Sequence, residues 1–196
     1  IFDLAERLTP SGARDPRAGS VAELQRRFGV DTAQAERVAV QAEKLYRQLL
    51  PKLVAELLRE LRWGAALHEI GMLVSHHDHH RHSAYLLAHV DAAGFSTNQL
   101  QRLAALALGQ RGGLRKIEGQ LADASLLDQL VALRRAVILC HARTATAGNP
   151  RLTRSGRQLT LHCPKSWSNG QARTRFLLKE EAEAWARTGL LELAIA

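Results

Sequence analysis

The sequence predicts a mainly α-helical protein with a small layer of antiparallel strands and a helix at its C-terminal end. Between residues 20 and 145, apolar residues recur at the spacing of amphipathic helices. After Gly148-Asn149-Pro150 the apolar residues fall into short alternating or continuous runs, which favour strands. The 196 residues are enough to bury a hydrophobic core.

The N-terminal end is predicted to be a linker followed by two helices. Residues 1–19 are charged and interrupted by Pro and Gly, which is typical of a linker or of the end of an upstream domain. Because the chain does not begin with Met, we expect it to be a piece of a longer protein. Ser20 and Glu23 form a capping-box pattern that begins a short helix ending near Gly29. Asp31 then caps a longer helix that lasts until Pro51.

The middle of the chain predicts four further helices with polar turns between them. The first covers residues 53–73 and is loosened at its end by Gly71. A histidine-rich turn then precedes a helix at residues 83–90. Ser96 caps the next helix, which ends at Gly109, and a glycine-containing loop separates it from a long helix at residues 124–145.

The C-terminal end predicts three strands, at residues 158–162, 172–178 and 189–196, with the short helix KEEAEAWARTG before the last. An antiparallel sheet of this size is not stable alone, so we expect it to pack on the helical body, with Trp167 and Trp185 as core anchors. We therefore divide the chain into a linker at residues 1–19, a helical domain at residues 20–147 and a small subdomain at residues 148–196.

The charge balance favours polyanionic partners. Lys and Arg number 27 against 19 Asp and Glu, which gives a net charge of +8. Arginine forks match phosphate geometry, but on charge alone nucleic acid and inorganic polyphosphate fit equally well. The sequence has no apolar run long enough for a membrane span and no secretory signal pattern, and its two cysteines are too few for a disulfide framework. A cytoplasmic protein with reduced thiols and no membrane contact is expected.

Six of the nine histidines lie within fifteen positions, from His68 to His82. Imidazole is a common metal ligand, but neighbouring histidines point in different directions and no cysteine is near, which argues against a closed zinc site. Three interpretations remain open at this point. His68 is a hydrogen-bonded core residue beside a polar turn, or the imidazoles and Arg81 form a polyanion site, or the cluster binds a metal.

The same region carries a family resemblance. Residues 63–71 read WGAALHEIG, and residues 75–96 read SHHDHHRHSAYLLAHVDAAGFS, which contains an H-x-x-x-H-R-H-[SG]-A-Y-L run and a D-x-x-G-F-S turn. These motifs, in this order and spacing, resemble the C-terminal region of the exopolyphosphatase and guanosine pentaphosphate phosphohydrolase family. The opening IFDL and the C-terminal P-x-x-W segment resemble the matching parts of that family, so the resemblance covers essentially the whole chain.

The resemblance implies a helical fold similar to HD-domain phosphohydrolases and a catalytic half that these residues do not contain. Hydrolysis and its magnesium ion belong to that half, so we expect this fragment to be inactive alone and to bind no metal or other cofactor. The positions that match the HD metal ligands are Gln34, His68-Glu69 and Val137. Only His68 is a good ligand among them, because Gln coordinates weakly and Val cannot coordinate at all.

The role that remains is binding long-chain polyphosphate on behalf of the catalytic domains. The candidate contacts are basic residues of the histidine run and of the loop GQRGGLRK, in which Gln110 stands where the family often has His: His76, His79, His80, Arg81, His82, Arg111, Arg115 and Lys116. The family also implies a homodimer. Two alternatives stay open, an active HD-type metal phosphohydrolase and a basic nucleic-acid-binding module. The second lacks the stacking aromatics typical of RNA-binding modules.

Overall fold

The computed structural model describes residues 15–144, 148–164, 167 and 171–196. Within them the chain is mainly helical with a three-stranded sheet, which confirms the predicted class. The α-helices are α1 (Pro16–Arg27), α2 (Thr32–Leu49), α3 (Ala55–Ala66), α4 (His79–His89), α5 (Thr97–Gly109), α6 (Ala124–Leu139) and α7 (Ala172–Ala186). Short 3-10 helices span Ile70–Leu73 and Arg115–Gln120, and the strands are β1 (Arg151–Ser155), β2 (Gln158–His162) and β3 (Glu192–Ile195).

The first helix begins five residues earlier than predicted. Asp15 caps it by accepting a hydrogen bond from the Arg17 amide, and Pro16 stands at the first helical position, where its missing N–H costs nothing. Ser20, the predicted cap, instead donates its hydroxyl to the Ala93 carbonyl at 2.8 Å. Residues 1–14 of the predicted linker lie outside the described residues.

The caps of α2 and α5 are confirmed, and two other helices are shorter than predicted. Asp31 accepts from the Gln34 amide, and Ser96 forms a full capping box with Gln99. The predicted helix at residues 53–73 ends at Ala66 and is followed by a 3-10 turn, while α6 ends at Leu139 rather than at residue 145. Residue 145 itself lies outside the described residues.

The sheet corrects two predictions. Residues 172–178 form the first half of α7 rather than a strand, and β1 is a strand that the sequence did not predict. β1 and β2 form an antiparallel hairpin, as in the predicted sheet type, but β3 pairs with β2 in parallel, so the sheet is mixed and not antiparallel. The reason is topological, since α7 carries the chain back along the sheet before β3 begins.

Two hydrophobic clusters hold these elements together. The larger one joins α2, α3, α5 and α6 to the sheet and α7, and the smaller one lies among α1, α3, α4 and α5. Trp167 and Trp185 are buried in the larger cluster, which confirms them as anchors of the C-terminal layer. Among the described residues, none of the helices has the length and apolar character that crossing a membrane requires.

Candidate anion-binding site

The site begins at a hydrogen-bond hub around the backbone of His68. Its carbonyl accepts from the Ser83 hydroxyl at 2.9 Å and from Nε2 of Gln110 at 2.6 Å. The Gly71 amide donates to the same Ser83 hydroxyl at 2.9 Å. This hub fixes the 3-10 turn, α4 and the end of α5 against one another. The His68 ring is buried and its Nδ1 lies 2.6 Å from the Ala65 carbonyl, which supports the structural interpretation of His68 itself.

Gly71 allows α4 to approach this turn closely. A Cβ at position 71 would come within 3.0 Å of the His79 carbonyl oxygen and the Ser83 amide nitrogen. Both of these are backbone atoms of α4, which cannot move aside independently of the helix. The glycine of the LHEIG motif therefore allows the first turn of α4 to pack directly against the 3-10 turn. In this position His79 of α4 lies beside Arg111 of the loop that follows α5.

Five of the candidate residues meet at this place, and we call them the basic cluster: His79, His80, Arg81, Arg111 and Lys116. Nη1 of Arg111 donates to Nε2 of His79 at 3.1 Å, and Nζ of Lys116 donates to the Arg111 carbonyl at 2.7 Å. Arg81 is exposed on the next position of α4, with Nε 3.9 Å from Oδ1 of Asp78. The cluster joins two segments that are about thirty residues apart in the sequence.

The electrostatics of the basic cluster show an excess of positive charge. Burial, and then the charge of Lys116, lowers the pKa of His80 to about 4, and burial followed by the charge of Arg111 lowers the pKa of His79 to about 4. Burial and the charges of Arg134, Arg81 and Arg111 lower the pKa of Lys116 to about 8. Both imidazoles are therefore neutral at pH 7, while the ammonium group is crowded by guanidinium groups.

The other three candidates form no hydrogen bond or ion pair with the side chains of this cluster among the described residues. His76 is exposed in the loop before α4. His82 is half-buried, and its Cβ lies beside Gly71. Arg115 is exposed and lines a separate cavity of about 260 Å³ that extends to Thr188. The structure therefore brings together part of the predicted set, at the start of α4 and at Arg111 and Lys116.

Sequence reasoning missed Arg134, which forms hydrogen bonds with the backbone of the loop that carries Arg111. This arginine of α6 is 3% exposed and donates to the carbonyls of Gly109 and Gly112, at 2.5 and 3.0 Å. It also pairs with Glu181 of α7. The available signal was the pair Arg134-Arg135 inside the otherwise apolar run LVALRRAVIL, because a charge on a buried helix face requires a partner.

The polar residues at the HD-like positions, Gln34, His68 and Glu69, form hydrogen bonds or ion pairs within the protein. Nε2 of Gln34 donates to the Cys140 carbonyl at 2.8 Å, and Arg143 pairs with both Asp31 and Glu69 at 2.9 Å. Val137 lines a different cavity, between α6 and α7. Across residues 15–144 and the later described segments, no group of three or more His, Cys, Asp or Glu side chains is placed to hold a metal ion.

Comparison with known sequences identifies the family to which these residues belong. The family described as Ppx/GppA phosphatase, domain III, matches residues 17–182, from the first turn of α1 to the middle of α7. The chain belongs to the Ppx/GppA phosphatase family. It is also similar to the guanosine-5'-triphosphate,3'-diphosphate pyrophosphatase of Aeromonas salmonicida (strain A449), with 31% identity over 185 residues. That alignment covers 90% of this chain and 37% of the relative.

These matches confirm the family resemblance of the LHEIG and HRHSAYL motifs. The matched range contains the hub, the basic cluster and the Arg134–Glu181 pair, so all three lie within domain III of a Ppx/GppA phosphatase. The chain spans little more than a third of the relative's length.

Proposed function

We propose that this Ppx/GppA domain III binds extended phosphate chains at the basic cluster, for a phosphatase whose chemistry is performed by other domains. The observation that carries the proposal is the position of Lys116. Its ammonium group donates to the Arg111 carbonyl, and burial, followed by the charges of Arg134, Arg81 and Arg111, lowers its pKa to about 8. A polyanion would relieve this repulsion, because each phosphate places negative charge among the cations.

The chemistry of the cluster suits phosphate better than a simple carboxylate. Guanidinium forks bind phosphate oxygens with two hydrogen bonds, and an ammonium group adds a third donor beside them. Nδ1 of His80 is buried and has no hydrogen-bond partner among the described residues. The cluster lies at the first turn of α4, where backbone N–H groups also favour an anion. Repeated phosphates would allow one chain to contact several of these donors.

The parent protein is proposed to release the terminal phosphate of inorganic polyphosphate and to act on guanosine pentaphosphate as a second substrate. Hydrolysis and a magnesium ion are proposed for the N-terminal catalytic domains that accompany domain III in this family. Domain III then holds the part of the substrate that is not being cleaved. We expect the isolated domain to show no phosphatase activity.

The test is a binding titration with labelled polyphosphate of short and long chain length. The variant Arg111→Ala/Lys116→Ala removes two cations of the cluster and is expected to weaken binding of the long chain by about tenfold or more. The long chain is expected to bind more tightly than the short one, because it reaches more of the cluster. Single-stranded DNA, added as a competitor, measures whether the site prefers phosphate chains over nucleic acid.

The matched control is Arg26→Ala/Arg27→Ala, which removes the same number of charges from exposed positions on α1. Its affinity should remain close to that of the unchanged domain. Equal weakening in both double variants would show that net charge, and not the cluster, determines binding. Equal affinity for short and long chains, or displacement by DNA at similar concentrations, would also contradict the proposal.

The homodimer implied by the family remains a separate proposal. Leu73 and Val74, at the end of the 3-10 turn before α4, are exposed apolar side chains that a second subunit would cover. Light scattering after size-exclusion chromatography measures the mass directly. A monomer at all concentrations would assign this apolar surface to another partner.

A further inference from the structure

Arg134 and Glu181 form a buried ion pair directly beneath the loop of the basic cluster. Nε of Arg134 donates to the Glu181 carboxylate at 2.8 and 3.0 Å, and Nη2 donates to it at 2.5 Å. Both side chains are 3% exposed. Moving two charges out of water carries a large desolvation cost, so a buried pair of this kind is a weak source of stability. Its hydrogen bonds to the loop indicate a different role.

The guanidinium group connects α7 to the backbone on both sides of Arg111. Nη1 donates to the Gly109 carbonyl and Nη2 to the Gly112 carbonyl, so the two bonds flank Gln110 and Arg111. Gly112 has a positive φ of 71°, which glycine adopts without strain and which turns the loop back over Arg134. The path of this backbone determines where the Arg111 side chain and carbonyl lie.

Both functional groups of Arg111 depend on that path. Its side chain reaches Nε2 of His79, and its carbonyl holds Nζ of Lys116. A shift of the backbone at Gly109 or Gly112 would therefore displace two cations of the cluster together. Arg134 is buried, and its donors are occupied by Glu181 and by the loop, so it acts on the anion through Arg111 and Lys116.

We infer that Arg134 and Glu181 are positioning residues for the anion site, and that α7 of the C-terminal layer is a functional part of that site. The inference rests on the proposed function of the basic cluster. It adds a dependence of phosphate binding on a carboxylate that never contacts phosphate. It also gives a function to the packing of α7 on the helical body, in addition to the burial of Trp185.

The deciding variant is Glu181→Gln, because the positioning role and simple electrostatics predict opposite effects. Removing a carboxylate makes the domain more positive, so charge alone would tighten phosphate binding. Loss of the ion pair releases Arg134 and the loop, so a positioning role predicts weaker phosphate binding. We expect affinity for long-chain polyphosphate to fall by about tenfold, the size expected when a charge-assisted hydrogen bond is lost.

The matched control is Glu60→Gln. Glu60 is also buried, at 6% exposure, and pairs with Arg102 at 2.8 Å, so the variant makes the same charge change. Its binding should be unchanged or slightly tighter. Circular dichroism and thermal melting show whether each variant is folded. Unchanged or tighter binding by a folded Glu181→Gln domain would overturn the inference.

A second variant covers the case in which Glu181→Gln does not fold. Arg134→Lys keeps the positive charge but cannot bridge Glu181, Gly109 and Gly112 together, and it should weaken binding without lowering net charge. Failure of both variants to fold would assign the pair to overall stability and would also overturn the inference.

The outcomes separate this inference from the proposed function. If Arg111→Ala/Lys116→Ala binds as tightly as the unchanged domain, the proposed anion site is wrong, and the positioning role is wrong with it. If that double variant loses binding while a folded Glu181→Gln domain does not, the anion site stands and only the positioning role is wrong.

Discussion

Gly71 is the residue on which the geometry of the anion site most directly depends. A methyl group at this position would meet the backbone of α4 at His79 and Ser83, which can yield only if the helix moves. We expect Gly71→Ala to lower the free energy of unfolding by about 3 kcal/mol, at the upper end of the usual cost of overpacking. Chemical denaturation monitored by tryptophan fluorescence measures the change.

Gly113→Ala is the matched control for this prediction. A methyl group at position 113 would lie in open space, and Gly113 has no positive φ, so the same chemical change should alter stability by less than about 0.5 kcal/mol. A Gly71→Ala domain as stable as the Gly113→Ala domain would mean that the turn and α4 can separate easily. The close approach would then have no energetic role.

The buried histidines predict that the domain loses stability on mild acidification. Burial is the first cause that lowers the pKa of His68, and it lowers the pKa of His79 and His80 to about 4. Since the unfolded imidazoles have a pKa near 6.5, the unfolded state binds more protons between about pH 6.5 and pH 4. Stability therefore falls as the pH decreases through this window, by on the order of 1 kcal/mol for each of His79 and His80 at about pH 5.

Denaturation midpoints at about pH 7 and about pH 5 test this sign, because most carboxylates remain ionised over that range. The variant His79→Asn/His80→Asn should lose part of the pH dependence. His89→Asn should keep all of it, since His89 is exposed and stacks on Tyr85. A domain whose stability is constant or rises over this range would refute the assignment of neutral, buried imidazoles.

At the scale of elements, the sequence predicted helices well and misjudged α7. Residues 172–178 alternate, but the buried positions of the complete helix follow a helical period: Thr174, Leu178, Glu181, Ala184 and Trp185. A short window ending at residue 178 does not contain enough turns to show that period. Because α7 was divided into a strand and a helix, the crossover that makes β3 parallel to β2 was missed as well.

The residue types of the candidate site could be predicted from the sequence, but the buried residues that hold its loop in place could not. The histidine run and the basic loop are visible in the sequence, and the fold brings His79, Arg111 and Lys116 together. The roles of Arg134 and Glu181 depend on a contact between helices 47 positions apart, which neither periodicity nor spacing reports. In the same way, the burial of His79 and His80 after the exposed His76 and His77 depends on the packing of α4 against Gly71, which the sequence does not show.

At the scale of the whole molecule, the positive charges behind the net charge of +8 differ in whether a carboxylate lies beside them. Many guanidinium groups are paired with carboxylates on the helical surface, which limits their field to their immediate surroundings. These paired arginines include Arg17, Arg26, Arg47, Arg59, Arg62, Arg102, Arg143 and Arg154. In the basic cluster, Arg81 pairs with Asp78 at a longer distance of 3.9 Å, and neither Arg111 nor Lys116 has an ion pair with a carboxylate among the described residues.

This distribution predicts the salt dependence of phosphate binding. If Arg81, Arg111 and Lys116 are the cations that neutralise phosphates, about three counterions are released when a chain binds. The logarithm of the association constant should then fall with the logarithm of salt concentration with a slope of about −2, by analogy with single-stranded nucleic acids. Titration of long-chain polyphosphate between about 50 and about 300 mM salt measures this slope.

The Lys116→Ala variant provides the internal check, because removing one of three contacts should make the slope shallower by about 0.7. Lys179→Ala is its control, since Lys179 is an exposed lysine on α7 and its loss changes net charge equally. A slope of about −5 or steeper, the same in both variants, would mean that the phosphate chain is neutralised by many scattered arginines. The basic cluster would then be one contact among many, and the ion pairs on the helical surface would have to open when the polyanion binds.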